Sequence, residues 1–365
     1  MSNTTEQEGA EKEDLSSSKS ESDVPTLSSS PGRTYSGQEN FCKDYALKRF
    51  FRMSSKVADH YNAIPDIGVT ERLNSRILYL RNFNNWIKSM LINEFLKTLK
   101  QSGCSRPKVL DLCCGKGGDL LKWRNGNISY LVATDIAEVS LRQCERRYNE
   151  LKEKSDKKRP LFGAEFIRAD STTDRIADYF TDPNIQFDLT SCQFSFHYSF
   201  ESERQARQMI RNAVEKLRSG GYFIGTLPDA NRIMLVLRAT LRLTLPEYND
   251  LRWAIWFLNC MEAEVLYFIA FPQPQLTFLF MTHLFISAPL GDLWYLKGKE
   301  IEVNCPEYLV HFPVLEKLLD ECGMSLVYKK PFPEAFEYFK EDNMGKALLQ
   351  KMKALETYPP SDGTK

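Results

Sequence analysis

Apolar residues recur along the middle of this chain at two alternating periods. From Arg72 to Leu99 they stand mainly three and four apart, at Leu78, Leu80, Phe83, Ile87, Leu91, Phe95 and Leu99, a spacing that predicts a helix. A short apolar run, Val109 to Leu112, then predicts a strand, followed by a glycine turn (Gly115, Gly117, Gly118) and an amphipathic helix to about residue 124. The alternation continues with a strand from Tyr130 to Ala133 closed by Asp135, a helix from Val139 to Leu151, and a strand from Ala164 to Ile167 ending in Ala169-Asp170. Another strand, Phe187 to Gln193, leads into Phe194 to Phe200. After a helix from Glu203 to Leu217, Gly220-Gly221 is expected to turn the chain into a strand from Tyr222 to Thr226. Strands and helices in strict alternation predict an α/β fold with a mainly parallel sheet covered on both faces. Ligands on such sheets lie at the carboxyl ends of the strands, where Asp111, Asp135, Asp170 and Gln193 fall.

Two segments break the pattern. Residues 1–38 are rich in Ser, Glu and Thr and nearly lack large apolar side chains, so they are expected to be a disordered tail. Composition turns globular from Phe41. The stretch from about Ile233 to Leu290 is unusually aromatic and apolar, with runs at Val265 to Phe271 and Leu276 to Ile286 around Pro272-Gln-Pro274. Each run is shorter than the ~20 residues a membrane helix needs, and the prolines divide them, so a span is not expected; the segment reads either as a buried lobe or as residues foreign to a well-folded version of the protein. The expected organisation is a tail at 1–38 and one domain at 39–365. That domain divides into a core at 39–232, a divergent apolar insertion at 233–300 and a partial lobe at 301–365.

Charge narrows the chemistry. Lys and Arg number 48, Asp and Glu also 48, so no global field recruits a polyanion and any such site must be a local basic patch. The nine cysteines show no metal-ligand spacing; Cys113 and Cys114 are adjacent and the rest scattered, which suits reduced thiols in a nuclear or cytosolic protein. Met1 to Asn40 is polar and acidic, unlike a secretory signal. With only four histidines, no Ser/His/Asp or Cys/His constellation can be assembled, and no nucleophile is expected. What remains is the run from Val109 to Trp123, a strand, an acid and a glycine turn, with Asp135 about twenty residues beyond Gly115 to take ribose hydroxyls. The turn reads D-x-C-C-G-x-G-G and lacks the G-x-G-x-x-G register of dinucleotide sites, so an S-adenosylmethionine site is the better reading.

These residues resemble the eukaryotic mRNA cap guanine-N7 methyltransferases, class I S-adenosylmethionine-dependent enzymes of Rossmann-like fold. The resemblance rests on Ser75-Arg-Ile-Leu-Tyr-Leu-Arg-Asn-Phe-Asn-Asn-Trp-Ile-Lys88, the glycine turn, Thr134-Asp-Ile-Ala137 and Ala164-Glu-Phe-Ile-Arg-Ala-Asp170. It continues through Ser191-Cys-Gln-Phe194, His197-Tyr-Ser-Phe-Glu201, Gly220-Gly-Tyr-Phe-Ile-Gly225 and Cys305-Pro-Glu-Tyr-Leu309, covering about 56–232 and 300–358. Three departures stand out. Cys113 occupies a position where the family usually has glycine, and its side chain would crowd the methionine moiety. The segment 233–290 is unlike the family's lobe. The final hairpin that closes the family's sheet and lends an aromatic to the cap pocket is not found before Lys365.

The resemblance implies roles residue by residue. Lys88 would reach the methionine carboxylate, with Asp111, Cys113 and Gly115 lining the methionine; Asp135 would hold the ribose diol and Asp170 the adenine amine; Gln193 and Tyr198 would border the methionine end. Asn84 and Asn85 would contact the cap, and Lys116, Lys122 and Arg147 its triphosphate. His197 would flank the guanine, and Glu307 would accept from guanine N1 and N2. No metal is implied. Methyl transfer to N7 needs positioning and electrostatics without a general base, since N7 already offers a lone pair. The implied partners are capped mRNA, the capping guanylyltransferase, RNA polymerase II and a small activating subunit, in the nucleus and without a membrane. Two other readings stay open: a variant that binds cofactor or RNA with impaired catalysis, and a methyltransferase with another acceptor.

Overall fold

The structure, a computed structural model, describes residues 54–64, 75, 77–155, 160–233, 263–270 (backbone path only) and 307–356. The tail at 1–38, and the insertion apart from Ile233 and 263–270, lie outside the described residues. The described chain opens with helix α1 (54–63) and continues through α2 (Leu78–Gln101), β1 (Lys108–Leu112), α3 (Leu120–Asn125), β2 (Tyr130–Asp135) and α4 (Glu138–Glu153). Strands β3 (Gly163–Arg168) and β4 (Phe187–Gln193) follow, each succeeded by a short 3-10 turn (Ile176–Tyr179 and Phe196–Glu201). The remainder is α5 (Glu203–Val214), β5 (Leu217–Pro228), β6 (Ala263–Ala270), α6 (Phe312–Asp320), β7 (Met324–Pro331), α7 (Phe332–Lys340) and α8 (Asn343–Lys351).

The seven strands form one sheet in the order β3-β2-β1-β4-β5-β6-β7. The first five pair in parallel, Val109 with Leu131 on one side of β1 and with Leu189 on the other. Because both faces of a parallel sheet are covered, its strands read as nearly continuous apolar runs, as β1 and β2 do. Alternate side chains enter two separate cores. Leu110, Leu112 and Val132 join Met209, Ile210 and Leu315 on one face, while Val109, Leu131 and Ala133 meet Trp86, Ile87, Leu91 and Phe95 of α2 on the other. Helix α2 is thus anchored by its Trp86, wholly buried, whose Nε1 donates to Gly345 O at 2.9 Å on α8. Much of the string that carries the family resemblance is therefore packing: Phe83 stacks beside Trp86 and edges onto Phe332.

Two expectations change. Gly220-Gly221 does not precede the strand but sits within β5, as a bulge: Leu217 pairs with Phe187 and Tyr222 with Leu189, and Gly220 takes φ +73° to absorb the extra residues. The divergent segment also supplies more than a lobe. Its residues 263–270 form the antiparallel strand β6 between β5 and β7, Thr226 pairing with Val265 and Tyr267 with Tyr328. The sheet is thus extended on this side by antiparallel pairing, whereas the resemblance gave its closure to a terminal hairpin. Among the described residues no helix is long and apolar enough to cross a membrane.

Candidate active site

A cavity of about 370 Å³ opens at the carboxyl ends of β1, β2, β3 and β4, within the usual size of a small-molecule pocket. All eight residues expected at the cofactor, Lys88, Asp111, Cys113, Gly115, Asp135, Asp170, Gln193 and Tyr198, stand in its wall.

The turn after β1 is shaped by backbone conformation. Cys113, Gly115 and Gly117 all have positive φ (57°, 53° and 75°). At Gly115 a Cβ would meet nothing within 4 Å, so glycine serves conformation there and leaves the backbone open to a ligand. At Gly117 a Cβ would fall 2.8 Å from both Cys144 Sγ and Leu120 Cδ1, so glycine also serves close packing against α4. Cys113 pays the left-handed conformation without glycine's freedom, which explains in physical terms why glycine suits that position. Its half-buried thiol, hydrogen-bonded to Cys192 and partly desolvated, is pushed well above the ordinary value and is not a thiolate nucleophile. A second strained residue, Phe194 at φ +58°, lines the same cavity, its amide donating to Thr226 Oγ1 at 3.1 Å.

The acids differ in state. Asp135 ends β2 with both oxygens held by backbone donors, Gly115 N and Ala137 N, each at 2.8 Å. Burial raises its pKa, and those two amides work against the rise. Each carboxylate oxygen keeps a lone pair for a further donor. Asp170 Oδ1 accepts from the amide and hydroxyl of Thr172, at 2.9 and 2.7 Å. Asp111 is buried beneath the turn, where Trp123 Nε1 donates to Oδ2 at 3.1 Å; burial, then the neighbouring Asp119, pushes its pKa to about 7. Asp119 lies opposite in character. Burial would raise it, but Lys88 (3.0 Å) and Lys122 (2.8 Å) bind it from two sides and hold it at about 2. Gln193 donates to Ser191 Oγ (3.0 Å) and accepts from Thr226 Oγ1 (3.2 Å), so its amide is fixed at the end of β4.

The residues expected at the cap divide. Lys116 and Arg147 line the cavity. Lys116 Nζ donates to Ile64 O at 3.1 Å, and Arg147 to Lys116 O at 2.8 Å. His197 and Glu307 are not in the cavity wall but lie directly behind Tyr198, which is: His197 Nε2 is 3.6 Å from Glu307 Oε1, to which Tyr198 donates at 3.2 Å. His197 is almost wholly buried with neither ring nitrogen hydrogen-bonded in the protein, a buried polar ring left for something else to satisfy. Glu307 is raised by burial but lowered more by His197 and Tyr198, and stays ionised. Asn84, Asn85 and Lys122 are not in the cavity wall. Lys122 Nζ is held by Asp119, Asn85 Oδ1 and Gly118 O, an internal network behind Lys88.

Sequence reasoning missed Asp119, which positions both lysines, and Ser54, Val57 and Tyr61, which line the cavity from α1. The spacing of those three residues, i, i+3 and i+7, was the signal available. No group of His, Cys, Asp or Glu that could hold a metal occurs among the described residues.

A glycine turn after the first strand of a parallel sheet, with acids closing the first three strands over one cavity, defines a class I S-adenosylmethionine-dependent methyltransferase. Residues 47–364 match the model of the mRNA (guanine-N(7))-methyltransferase domain, and the chain belongs to that family. The mRNA cap guanine-N(7) methyltransferase of Drosophila melanogaster is 43% identical over 309 residues, 83% of this chain and 66% of that protein. That of Caenorhabditis elegans is 39% identical over 307 residues, 84% of this chain and 73% of the relative. The match thus spans roughly two thirds to three quarters of these two relatives' length. Among solved structures, an S-adenosylmethionine-dependent methyltransferase from Clostridium acetobutylicum aligns at TM-score 0.32 and 13% identity, over 52% of this chain and 69% of that one, too slight a likeness to argue from.

Proposed function

We propose that this chain methylates N7 of the 5′ guanosine cap of mRNA. The residues present fit the cofactor: a twice-anchored carboxylate at Asp135 for a diol, an open backbone at Gly115, and Lys88, beside Gly118 in the cavity wall, for a carboxylate. S-adenosylmethionine supplies a methyl carbon activated by its sulfonium charge. Transfer forms the N7–carbon bond and breaks the carbon–sulfur bond, so positive charge leaves sulfur and appears on the purine. No proton is removed, since N7 attacks through a lone pair it already carries.

The observation that carries the reading is the ionised Glu307 held beside an unsatisfied His197. A carboxylate there would accept N1–H and N2–H in one plane, and that attraction grows as the ring becomes cationic. Glu307 thereby stabilises the transition state more than the ground state. Tyr198, with the His197 ring packed behind it at 4.3 Å between centroids, would border one side of the base. Lys116 and Arg147, on the cavity wall, would meet the triphosphate as a local patch in a neutral chain, while Lys122 and Asn85 act behind them by holding Asp119 and, through it, Lys88. The family's setting extends the reading to capped mRNA in the nucleus, alongside guanylyltransferase, RNA polymerase II and a small activating subunit.

The test is a pair of substitutions read by separate binding measurements. Glu307→Gln is expected to lower kcat/KM for capped RNA by about 10²-fold, the scale of a lost transition-state partner, with S-adenosylhomocysteine affinity within about twofold of the parent. Asp135→Asn should do the reverse, weakening the cofactor product by about tenfold, the loss of a charge-assisted hydrogen bond. Equal loss of both ligands in both variants overturns the division of the pocket.

A further inference from the structure

Helix α1 enters the site from a part of the sequence to which no role was assigned. Ser54, Val57 and Tyr61 present one face of it to the cavity. Its far end is pinned at two points on the cofactor side: Asn62 Oδ1 accepts from Val139 N (2.9 Å) at the start of α4, and Ile64 O accepts from Lys116 Nζ (3.1 Å) in the glycine turn. Toward the acceptor side, Tyr61 OH lies 3.0 Å from Tyr198 OH, and Tyr198 donates to Glu307 Oε1 at 3.2 Å.

The direction of that chain follows from counting protons. A tyrosine hydroxyl has one proton to donate. Glu307 is ionised and can only accept, so Tyr198 spends its proton there and must accept from Tyr61. The order is Tyr61 to Tyr198 to Glu307, each donor polarising the next. Tyr61 also edges onto both neighbours, with ring centroids 5.2 Å from His60 and 6.4 Å from Tyr198. His60 contributes a third buried, unpaired ring nitrogen, Nε2, beside the two of His197, and acts electrostatically on Glu307. Helix α1 and the residue that follows it therefore reach the acceptor carboxylate by a hydroxyl relay, the glycine turn by one direct hydrogen bond and the start of α4 by another.

We infer that Tyr61 is a positioning residue for the acceptor: through Tyr198 it fixes the Glu307 carboxylate that takes the base, and α1 straps that setting to the cofactor turn. The inference rests on the proposed acceptor reading. It predicts that the hydroxyl of Tyr61 matters only while Tyr198 can pass its effect on.

The experiment uses the full chain as parent, Tyr61→Phe, Tyr198→Phe and the double variant. Methyl transfer to capped RNA is followed by kinetics, with calorimetric titration of S-adenosylhomocysteine and of a cap dinucleotide. Tyr61→Phe should raise KM and the cap dinucleotide Kd about fivefold, the worth of one net hydrogen bond, with kcat, melting temperature and cofactor-product affinity little changed. In the Tyr198→Phe background the same substitution should have almost no further effect, a non-additivity that a merely structural tyrosine would not show. Additive losses, or a Tyr61→Phe protein indistinguishable from the parent in cap affinity, overturn the inference. If the parent itself binds no cap dinucleotide while binding S-adenosylhomocysteine, the acceptor reading fails first, and the two failures are thereby distinguished.

Discussion

At the scale of single residues the site is set by two kinds of cost, backbone strain and carboxylate burial. Cys113 holds φ +57° in the turn that cradles the cofactor. Glycine there is expected to be more stable than alanine by about 1 kcal/mol, because both lack the thiol and only glycine relieves the left-handed strain. Urea unfolding of Cys113→Gly against Cys113→Ala measures it, and equal stability would contradict the strain. The buried acids give a pH signature. Unfolded, Asp111 returns to its ordinary 3.8, whereas in the fold it titrates near 7. Between those values the folded protein holds a proton that the unfolded chain has released, so this stability is present at low pH and lost as pH rises through about 7. Asp119, held near 2 by its lysines, acts oppositely: its contribution is present above 3.8 and lost as pH falls toward 2. Asp111→Asn, which can still accept from Trp123, should flatten the decline in the urea midpoint from pH 5 to 8; an unchanged slope would assign the decline elsewhere. Of these residues, Asp111, Asp135 and Asp170 were legible as strand-end acids beside a glycine turn. Asp119 was not, because its role lies in two lysines brought to it from α2 and from its own helix, a contact only the fold creates.

Among the elements, those with strong local periodicity agree with expectation. Strand β4 matches residue for residue at Phe187–Gln193, and β2, α4 and β3 differ by one or two residues at an end. The discrepancies share a cause: pairing with distant strands overrides local signals. Gly220-Gly221 reads as a strand-breaking turn, yet β4 pairs with β5 on either side of the bulge, so the strand begins at Leu217. Residues 263–270 read only as an apolar run, since nothing local distinguishes a lobe from the strand that sheet pairing makes of it. Helix α2 was legible as a helix but its anchoring was not; the Trp86 indole reaches Gly345, more than 250 residues on. Trp86→Ala is expected to cost about 3–5 kcal/mol, the scale for removing a large aromatic from a core. Its partner is equally constrained: a Cβ on Gly345 would stand 2.1 Å from Phe339 O. Gly345→Ala should therefore lower the denaturation midpoint, whereas a neutral result would show that α7 and α8 adjust freely.

For the whole molecule, the account reduces to one division of labour on the sheet's carboxyl edge. On the proposed reading the turn after β1, with Asp135 and Asp170, takes the donor, and His197, Tyr198 and Glu307, after β4 and before α6, take the acceptor, with α1 between them. On that reading a chain of zero net charge meets a polyanionic RNA through local cations, Lys116 and Arg147 on the cavity wall, and not through a global field. Increasing salt should accordingly weaken capped RNA with a shallow slope, about one or two phosphates' worth of counterion release. The most direct test of the central claim follows the methyl group itself. The purified chain is incubated with S-adenosylmethionine carrying a labelled methyl and with matched RNAs ending in an unmethylated cap or a bare triphosphate, and the digested nucleosides are separated by mass. The account predicts label in 7-methylguanosine from the capped RNA alone. Label in any other nucleoside, or none from a protein that still binds S-adenosylhomocysteine, would contradict it.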